Sequence, residues 1–303
     1  MNRPIPRADA PDGEGALEEA RLAFIGAGVM GEAMIRGLLA RRLVAPARIV
    51  ASHPRPGRRD DLAGQFGIRV EASNRAAAGS GDIVVLTVKP QILPAVLSDL
   101  RGAVAAPAFV LSIVAGARIQ TIAEGLGHRA VVRCMPNTPA QVAEGMTVWT
   151  ATAEVSPPQR AQAQAILQAL GRELAVEDEE FLDMATAVSG TGPTYVFLLM
   201  EALIDAAVHL GFSRGDARQL VVQTLRGAAL FAEQSRLHPA ELRNMVTSPG
   251  GTSAAALYQL EKGGLRTVLS KAVWAAYQRS VALGRMRGTA AALELGATDD
   301  PEG

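Results

Sequence analysis

The sequence predicts an α/β protein with an N-terminal Rossmann-type, doubly wound sheet followed by an all-helical C-terminal domain. Three observations support this fold class. Short apolar β-rich runs alternate with helical ones through the first half, a G-x-G-x-x-G string follows the first run, and strand patterns end at about residue 184. Strands that alternate with helices at this spacing indicate βαβ units and a mainly parallel sheet. A length of 303 residues leaves room for two domains.

The predicted strands are almost wholly apolar, which is typical of strands covered by helices on both faces. They are RLAFI (21–25), ARIVA (47–51), DIVVLTV (82–88), AFVLSIV (108–114), AVVRC (130–134) and MTVWT (146–150). Helices are predicted at 29–40, 91–100, 157–170, 194–210, 217–235, 253–262 and 266–284. With 49% apolar but only 4% aromatic residues, the interior is expected to be built from Ala, Leu, Val and Ile.

These patterns divide the chain into four predicted parts: a disordered tail over 1–20, a Rossmann domain over 21–183, a helical domain over 184–287 and a flexible tail over 288–303. The helical domain carries more apolar helix surface than one chain would cover, so we predict that it packs against a second copy. Glu201, Asp205 and His209 form one polar stripe on its first helix, which we interpret as a wetted face or a subunit contact.

Composition excludes several classes of function. Thirty basic residues balance thirty acidic ones without long runs of either sign, so nucleic acid is not an expected partner. Cys134 is the only cysteine, which excludes an intrachain disulfide and a thiolate metal cluster and favours a reducing compartment, by default the cytoplasm. We expect Cys134 to be a buried small residue rather than a nucleophile. The four histidines have no metal-ligand spacing, so no metal is expected.

Membrane attachment is not expected either. The first twenty residues contain Pro, Gly and charge but no apolar core of a signal peptide. The most apolar stretch, 195–200, is closed by Glu201, and no run reaches the 18 apolar residues typical of a membrane span. The sequence therefore predicts a soluble protein.

A dinucleotide-binding loop is predicted directly after the first strand. It consists of Gly26, Ala27, Gly28, Val29, Met30 and Gly31. Gly26 permits the tight turn, Gly28 lets backbone N–H groups approach a pyrophosphate, and Gly31 lets the following helix pack closely on the strand. The helix N-terminus then faces the phosphate charge. The alternative, a plain strand-to-helix turn, is disfavoured by this strand–loop–helix context.

The end of the second strand indicates which dinucleotide binds. NAD-binding loops usually carry Asp or Glu there for the ribose 2′-hydroxyl, whereas residues 51–59 read ASHPRPGRR without a carboxylate. Hydroxyl and guanidinium groups suit a 2′-phosphate, so we predict NADPH, with Ser52, Arg55 and Arg58 as contacts. NADH remains possible, and the alternative for the arginines is that they only solvate a loop.

Three further loops follow strand ends, where ligands bind in open α/β sheets. The first is Thr87, Val88, Lys89 and Pro90; the second contains Ala115; and the third is the string MPNTP at 135–139. Lys89 has two interpretations, a catalytic acid or a cation beside the nicotinamide or the phosphates, and the sequence does not decide between them.

The string VTSPGGTSAA at 246–255 stands far from the nucleotide loop. One interpretation is a turn between helices, in which Pro249 fixes one φ angle, Gly250 and Gly251 allow unusual ones, and a Thr252 or Ser253 side chain caps the next helix. The other is that N–H groups at this helix start bind an anion, such as the carboxylate of a small substrate held against the nicotinamide.

At these residues the chain resembles the pyrroline-5-carboxylate reductases over roughly residues 21–285. The resemblance rests on FIGAGVMGEAM, TVKP, RCMPNTP, SGTGPTY and KAVWAAYQRS, and above all on VTSPGGTSAAALYQLEKGGLR. It implies hydride transfer from NADPH to C5 of L-1-pyrroline-5-carboxylate, which gives L-proline, the last step of proline biosynthesis. It also implies a helical C-terminal domain that dimerises by interleaving and often forms higher oligomers.

The resemblance also implies residue roles. Ser248, Gly250, Gly251 and Thr252 fall at the site of the substrate carboxylate, and Ser253 falls where the family usually has the Thr whose hydroxyl contacts the ring nitrogen. Ser keeps the hydroxyl but lacks the methyl group that restricts its rotamer, and Thr252 is a rival for the role. The positions on the cofactor side are Asn74, Thr87, Val88, Lys89, Pro90, Ala115 and Asn137.

Two alternatives are weighed against this interpretation. A relative of the 3-hydroxyacid dehydrogenases would carry a Lys on the long helix after the nucleotide domain, and the helix predicted at 194–210 contains none. A non-catalytic NADPH-binding or membrane-associated regulatory protein would keep the fold without turnover. The intact SPGGTS string favours an enzyme.

Overall fold

The computed structural model of the chain describes residues 15–296, with side chains described to residue 284. The parts of the predicted tails at 1–14 and 297–303 lie outside the described residues. Within this range the chain forms two compact units, one of residues 192–275 and one of residues 15–191 together with 276–296. The junction therefore lies at 191/192 rather than at the predicted 183/184, and the chain returns to the first unit after residue 275.

An eight-stranded sheet forms the centre of the first unit. Its strands are β1 (Leu22–Ile25), β2 (Ile49–Ser52), β3 (Arg69–Glu71), β4 (Ile83–Leu86), β5 (Phe109–Ser112), β6 (Val131–Met135), β7 (Gly145–Ala151) and β8 (Gly171–Ala175). The strand order is β3-β2-β1-β4-β5-β6-β7-β8, and β1 to β6 are parallel. β7 runs antiparallel to β6, and β8 runs parallel to β7. The predicted doubly wound, mainly parallel sheet is confirmed.

The helices are interspersed with the strands in the first unit and follow one another in the second. The first unit contains α1 (Val29–Ala40), α2 (Pro56–Phe66), α3 (Asn74–Ala78), α4 (Leu93–Leu100), α5 (Ile119–Leu126), α6 (Pro157–Gln168) and α7 (Glu180–Ala185). A π-helical turn, Thr186–Gly190, then leads to α8 (Gly192–His209), α9 (Arg214–Gln234), α10 (Pro239–Met245), α11 (Thr252–Lys262) and α12 (Leu265–Gly296). α12 continues through residues 288–296, which the sequence assigned to a flexible tail.

The sheet is buried on both faces, as expected of central strands that are almost wholly apolar. All four residues of β1, β4 and β5 are buried. Phe24 and Phe109 lie in a core cluster with residues of α1 and α6, whereas Ile25 and Val84 lie in a second cluster with residues of α4 and α5. This arrangement fixes the carboxyl ends of β1, β2 and β4 next to one another at one edge of the sheet, where the predicted nucleotide loop lies.

The sequence predicted that the first unit starts at Arg21, but the unit begins before this residue. Leu17 is 1% exposed and lies in the core cluster that contains Phe24. The carbonyl of Ala16 accepts a hydrogen bond from Gln162 of α6, and the carbonyl of Glu19 accepts one from Arg48. Residues 15–20 are therefore packed against the domain, and the predicted disordered tail is wrong for this stretch because one apolar side chain anchors it.

The second unit buries very little of its own surface. Among residues 192–275 only Ala217 and Val221 are buried. Large apolar side chains are exposed along each of its long helices, among them Phe197, Leu198, Leu230, Phe231, Tyr258, Val268 and Trp274. By length and composition the continuous helical run Glu180–His209 would also be able to cross a membrane. A unit with this surface does not have a closed core within one chain.

Candidate functional site

The nucleotide loop adopts the strand–loop–helix geometry that its glycines predict. Gly26 has φ +78°, and a Cβ atom there would lie 2.4 Å from Cγ1 of Val88. A Cβ on Gly31 would lie 2.8 Å from Oγ1 of Thr87, so α1 packs directly on the end of β4. Gly28 is different, because a Cβ there would meet only the carbonyl of Gly26, at 3.7 Å. Packing explains Gly26 and Gly31, whereas Gly28 leaves open the space in front of the loop.

The space in front of this loop fits a dinucleotide phosphate. α1 begins at Val29 without a capping side chain, so the amides of its first turn have no partner within the helix. Val29 itself is 68% exposed, as expected for an apolar side chain that a ligand covers. Oriented amides at an uncapped helix N-terminus are the groups that bind phosphate.

Ser52, at the end of β2, differs from its predicted role as a direct phosphate contact. Its side chain is fully buried, and its hydroxyl donates to Oδ1 of Asn74 at 2.8 Å. Nδ2 of Asn74 in turn donates to Asp99. A hydroxyl with no exposed surface has no access to an incoming ligand. Ser52 therefore orients Asn74 at the start of α3 instead of contacting the phosphate.

The arginines after β2 have three different environments. Arg55 is exposed, and its guanidinium has no partner among the described residues. The Arg59 guanidinium donates to the carbonyls of His53 and Pro54, at 2.8 and 3.0 Å, which holds the loop itself. Arg58 is 19% exposed and ion-pairs with Glu32 at 2.6 Å. Only Arg55 therefore presents a guanidinium that is free for a ligand.

The charges around this loop change the protonation of two neighbours. Partial burial, followed by the positive charges of Arg55 and Arg58, lowers the pKa of His53, so His53 is neutral at pH 7. Burial alone would raise the pKa of Glu32, but hydrogen bonds and charge from Arg58 and Arg36 outweigh it and lower the pKa. Glu32 is thus ionised beside the loop 26–31. This residue was not among the predicted site residues, although an acidic residue directly after the last glycine was a visible signal.

The other loops predicted on the cofactor side lie at the same edge of the sheet. Val88 packs on Gly26, and Thr87 donates its hydroxyl to the carbonyl of Ile25. Lys89, followed by Pro90, is exposed and its ammonium group has no partner among the described residues, so both interpretations of this lysine stay open. Ala115 is half-buried in the loop after β5.

Asn137 is held by the protein on both ends of its amide. Its Nδ2 donates to the carbonyl of Ser189 at 3.0 Å, and its Oδ1 accepts from the amide of Met146 at 2.9 Å. It therefore ties the loop after β6 to β7 and to the π-helical turn. Both ends of its side-chain amide are thus engaged within the protein, and the predicted direct contact of Asn137 with a cofactor stays a prediction.

The SPGGTS segment forms a second glycine turn, in the helical unit. Gly250 has φ +71°, and a Cβ on Gly251 would lie 2.5 Å from Oγ of Ser248, so both positions favour glycine. The amide of Gly251 donates to the carbonyl of Ser248 at 3.1 Å. α11 begins at Thr252 with Gly251 as its N-cap residue, and no side chain caps it. The predicted cap by Thr252 or Ser253 is therefore wrong, because both residues are already inside the first turn.

This uncapped turn has backbone donors that no side chain satisfies. The amides at the start of α11 have no partner within the helix, and the helix dipole adds positive potential there. Ser253 is half-buried and Thr252 is exposed; neither hydroxyl has a partner among the described residues. The turn therefore offers amide donors and two hydroxyls without a competing internal acceptor.

Among the described residues, neither Cys134 nor a cluster of His, Cys, Asp or Glu side chains forms a second reactive centre. Cys134 is 2% exposed, and burial raises the pKa of its thiol, so it stays protonated as expected of a buried small residue. Among the described residues, no group of three or more His, Cys, Asp or Glu side chains is placed to hold a metal ion.

Comparison with known proteins gives one consistent family. Residues 179–283 match the family model described as pyrroline-5-carboxylate reductase dimerisation, and residues 21–116 match the one described as NADP oxidoreductase, coenzyme F420-dependent. The chain is 43% identical to the pyrroline-5-carboxylate reductase of Synechocystis over 88% of its length and 98% of the relative. It is 45% identical to that of Pseudomonas aeruginosa over 90% of its length and the whole of the relative.

Solved structures agree with these relatives. The pyrroline carboxylate reductase of Plasmodium falciparum, with NADP bound, superposes with a TM-score of 0.81 at 32% identity and covers 88% of this chain and 99% of its own. The pyrroline-5-carboxylate reductase of Coxiella burnetii gives a TM-score of 0.81 at 36% identity and covers 87% of this chain and 98% of its own.

Proposed function

The chain belongs to the pyrroline-5-carboxylate reductase family, and from this membership we propose that it reduces L-1-pyrroline-5-carboxylate to L-proline, the last step of proline biosynthesis. NADPH is the preferred cofactor, and when bound it supplies the hydride that C5 of the cyclic imine accepts. The observation that carries the proposal is the uncapped glycine turn at 248–253, whose N–H groups suit a small carboxylate.

We assign the substrate roles to this turn. The carboxylate is bound by the amides of Thr252 and Ser253, and Ser248, Gly250 and Gly251 shape the turn that presents them, since the Gly251 amide donates to the carbonyl of Ser248. The Ser253 hydroxyl hydrogen-bonds the ring nitrogen, because its half-buried side chain is better shielded from water than the exposed Thr252. An iminium carbon is already electrophilic, so orientation supplies much of the rate and no His–Asp pair is needed.

The cofactor roles fall on the first unit. The loop 26–31 binds the pyrophosphate through its amides, Arg55 contacts the 2′-phosphate, and Ser52 orients Asn74 beside the ribose. Arg58 lies at the same end of the cofactor site as Arg55. The TVKP loop, Ala115 and the loop held by Asn137 surround the nicotinamide end.

Assembly through the helical unit is part of the proposal. The family is described by a dimerisation region, and the apolar side chains of α8, α9, α11 and α12 need a cover that one chain does not supply. We favour a second copy of the same helices, rather than a membrane, as the partner that covers this surface. Glu201, Asp205 and His209 run along α8, and such groups are costly in a lipid bilayer. We also propose a cytoplasmic location, because the reduced, buried thiol of Cys134 suits a reducing compartment.

Turnover with defined substrates tests the activity. Purified protein is mixed with NADPH and racemic pyrroline-5-carboxylate, and the loss of NADPH absorbance is compared with that for a 3-oxo acid and for a semialdehyde that does not cyclise. We expect turnover only with the cyclic imine, and faster turnover with NADPH than with NADH. Turnover only with the 3-oxo acid would instead assign the chain to the hydroxyacid dehydrogenases, and none with any substrate would indicate a non-catalytic protein.

A matched pair of variants tests the hydroxyl. Ser253→Ala is expected to lower kcat by roughly 10- to 100-fold with NADPH affinity nearly unchanged, because it removes a hydrogen bond to the reacting nitrogen. Thr252→Ala is expected to lower kcat by less than about threefold. The reverse ranking would transfer the role to Thr252.

A further inference from the structure

Arg58 and Glu32 form a partly buried ion pair across the nucleotide loop. Arg58 lies in the first turn of α2, and Glu32 lies in the first turn of α1. The Arg58 guanidinium donates from Nη2 to Glu32 at 2.6 Å and from Nε to the carbonyl of Ala27 at 3.2 Å, with a longer contact of 3.5 Å to the carbonyl of Gly28. The planar fork of this one side chain thus connects α2, α1 and the loop that precedes α1.

Glu32 holds Arg58 in this position. The Glu32 and Arg58 side chains are 21% and 19% exposed, so their interaction is less screened by water than that of a surface pair. Glu32 also accepts a hydrogen bond from Arg36, whose side chain is 50% exposed and reaches none of the loop carbonyls. Of the two arginines, Arg58 is therefore the one that connects Glu32 to the loop.

Arg55 differs from Arg58 in each of these respects. It directly precedes α2 and is exposed, and its guanidinium has no protein partner among the described residues. A guanidinium without a partner is able to form a bidentate contact with phosphate at little cost, whereas Arg58 would first have to leave a carboxylate and two carbonyls.

We propose that Glu32 and Arg58 form a brace that fixes the loop 26–31 for any adenine dinucleotide, and that Arg55 alone supplies the preference for the 2′-phosphate. Glu32 is thus a positioning residue that acts through Arg58. The inference rests on the proposed function, since it assumes that this loop holds the cofactor. It divides two roles that the sequence pattern had assigned jointly to the arginines.

Two adenosine fragments separate these roles, namely adenosine 2′,5′-bisphosphate and 5′-AMP, whose affinities are measured by calorimetry on the full chain. Arg55→Met is expected to weaken the bisphosphate about tenfold and 5′-AMP less than about twofold. Arg58→Met is expected to weaken both by a similar factor, also about tenfold. Selective loss of the bisphosphate in Arg58→Met would make Arg58 a direct phosphate ligand and would overturn the brace, as would unchanged affinity for both fragments.

Two further variants test the geometry of the brace. Arg58→Lys keeps the charge but lacks the planar fork, so it is expected to resemble Arg58→Met rather than the wild type. In the Glu32→Gln background, the cost of Arg58→Met on 5′-AMP affinity is expected to shrink from about tenfold to about threefold or less, because the pair is already broken. Full rescue by Lys, or an equal cost in both backgrounds, would contradict the proposal.

Controls exclude a general loss of structure. Arg36→Met removes the exposed partner of Glu32 and is expected to keep both affinities within about twofold of the wild type. Circular dichroism confirms that each variant is folded. Neither fragment carries a nicotinamide and no imino acid is present, so a chain that failed to reduce the imine would still report on the brace. Failure of the proposed activity and failure of this inference are thus distinguishable.

Discussion

The two units of this chain use their apolar residues in opposite ways. In the first unit the central strands are buried at every position, and two core clusters cover the two faces of the sheet. In the second unit only Ala217 and Val221 are buried, although its helices are rich in large apolar residues. The first unit thus closes its own core, whereas the second leaves an apolar surface that the proposed second copy would bury.

This comparison also explains why the two glycine turns occur in such different settings. The loop 26–31 is packed against Val88 and Thr87, which belong to a finished core. The turn 248–253 lies in the unit that buries little of its own surface, and we propose that assembly completes its core. We therefore expect cofactor binding to depend on the fold of one chain, and substrate binding to depend in addition on the oligomer.

The largest effect is expected from a charge placed on α8. Leu198 is 66% exposed in the single chain, and Leu198→Glu would bury a carboxylate in the proposed interface. We expect dissociation to monomers and a loss of activity of more than about 100-fold, since homodimer interfaces tolerate few buried charges. Light scattering and turnover measure the two effects.

Leu174→Glu is the matched control for Leu198→Glu. Leu174 is 51% exposed on the edge strand β8, in the unit that has its own core. The control is expected to keep its assembly and activity. If Leu198→Glu assembles and turns over like the control, the contrast between the two units does not reflect an interface.

The next largest effect is expected from the buried ion cluster of the first unit. Asp183 is 1% exposed and accepts hydrogen bonds from Arg118 at 2.8 Å and from Ser280 at 2.8 Å. Arg133, whose side chain is 4% exposed, lies 3.7 Å from Asp183 and 2.6 Å from Glu179. Through Ser280 this cluster holds the end of the chain on the first unit after the helical unit is complete.

Asp183→Ala is expected to destabilise the protein by about 3–5 kcal/mol, because it removes the carboxylate that pairs with Arg118 and one of the two that face the buried Arg133. Ser280→Ala removes one hydrogen bond and is expected to cost about 1 kcal/mol. Urea unfolding followed by circular dichroism gives both values, and the oligomeric state is expected to remain that of the wild type. Equal costs for the two variants would show that the charge itself is not important.

A smaller effect is expected from substitutions in the two glycine turns, and we expect each turn to change the KM of a different substrate. Gly26→Ala forces a Cβ against Val88 at a positive φ angle, and Gly251→Ala forces one against Ser248. We expect Gly26→Ala to raise the KM for NADPH about tenfold, and Gly251→Ala to raise the KM for the imino acid about tenfold, each with the other KM nearly unchanged. Steady-state kinetics over both substrates decides the matter. A Gly251→Ala variant that changes only the KM for NADPH would contradict the assignment of the second turn.

Much of this arrangement was predictable from the sequence because it depends on local patterns. The six apolar strands and the helix Val29–Ala40 were predicted close to their observed bounds, and α8 begins with Pro193 in its first turn as expected. The two strands that were missed, β3 and β8, are the edges of the sheet, where partly exposed side chains give no apolar run. The helices α2, α3, α5, α7 and α10 were also missed. The last four have only five to eight residues, which carry little periodicity, and α2 buries only Leu62 and so lacks an apolar stripe.

Tertiary contacts decided the features that the sequence did not predict. Ser52 and Arg58 have suitable chemistry for a phosphate, but Asn74 and Glu32 occupy their polar groups, and these partners lie more than twenty residues away. Leu17 stands in a polar segment, yet it anchors that segment because the core has a place for it. The nearby partner of a polar side chain, rather than its residue type, determines whether it is free for a ligand.

The smallest effect is expected from an exposed ion pair of the first unit, between Arg21 and Asp82. Asp82 accepts hydrogen bonds from the backbone and side chain of Arg21 at 2.6 to 3.0 Å, and these bonds lower the pKa of the Asp82 carboxyl against a smaller opposing effect of burial. A lowered pKa in the folded state stabilises the protein above the unfolded pKa of about 3.9. That contribution is lost as the pH falls through the folded value. Both side chains are about half exposed, so solvent screening keeps the contribution small.

Arg21→Met is therefore expected to lower Tm by no more than about 2 °C at pH 7, and by less at about pH 3, because the Asp82 carboxylate is increasingly protonated as the pH falls. Thermal melts at both pH values, at low and at high salt, measure it. Arg69→Met is the control, because Arg69 lies 3.7 Å from Glu71 with both groups partly exposed, and it is expected to change Tm by less than Arg21→Met. A decrease in Tm many degrees larger would mean that surface ion pairs, and not burial of the apolar sheet, provide most of the stability of the first unit.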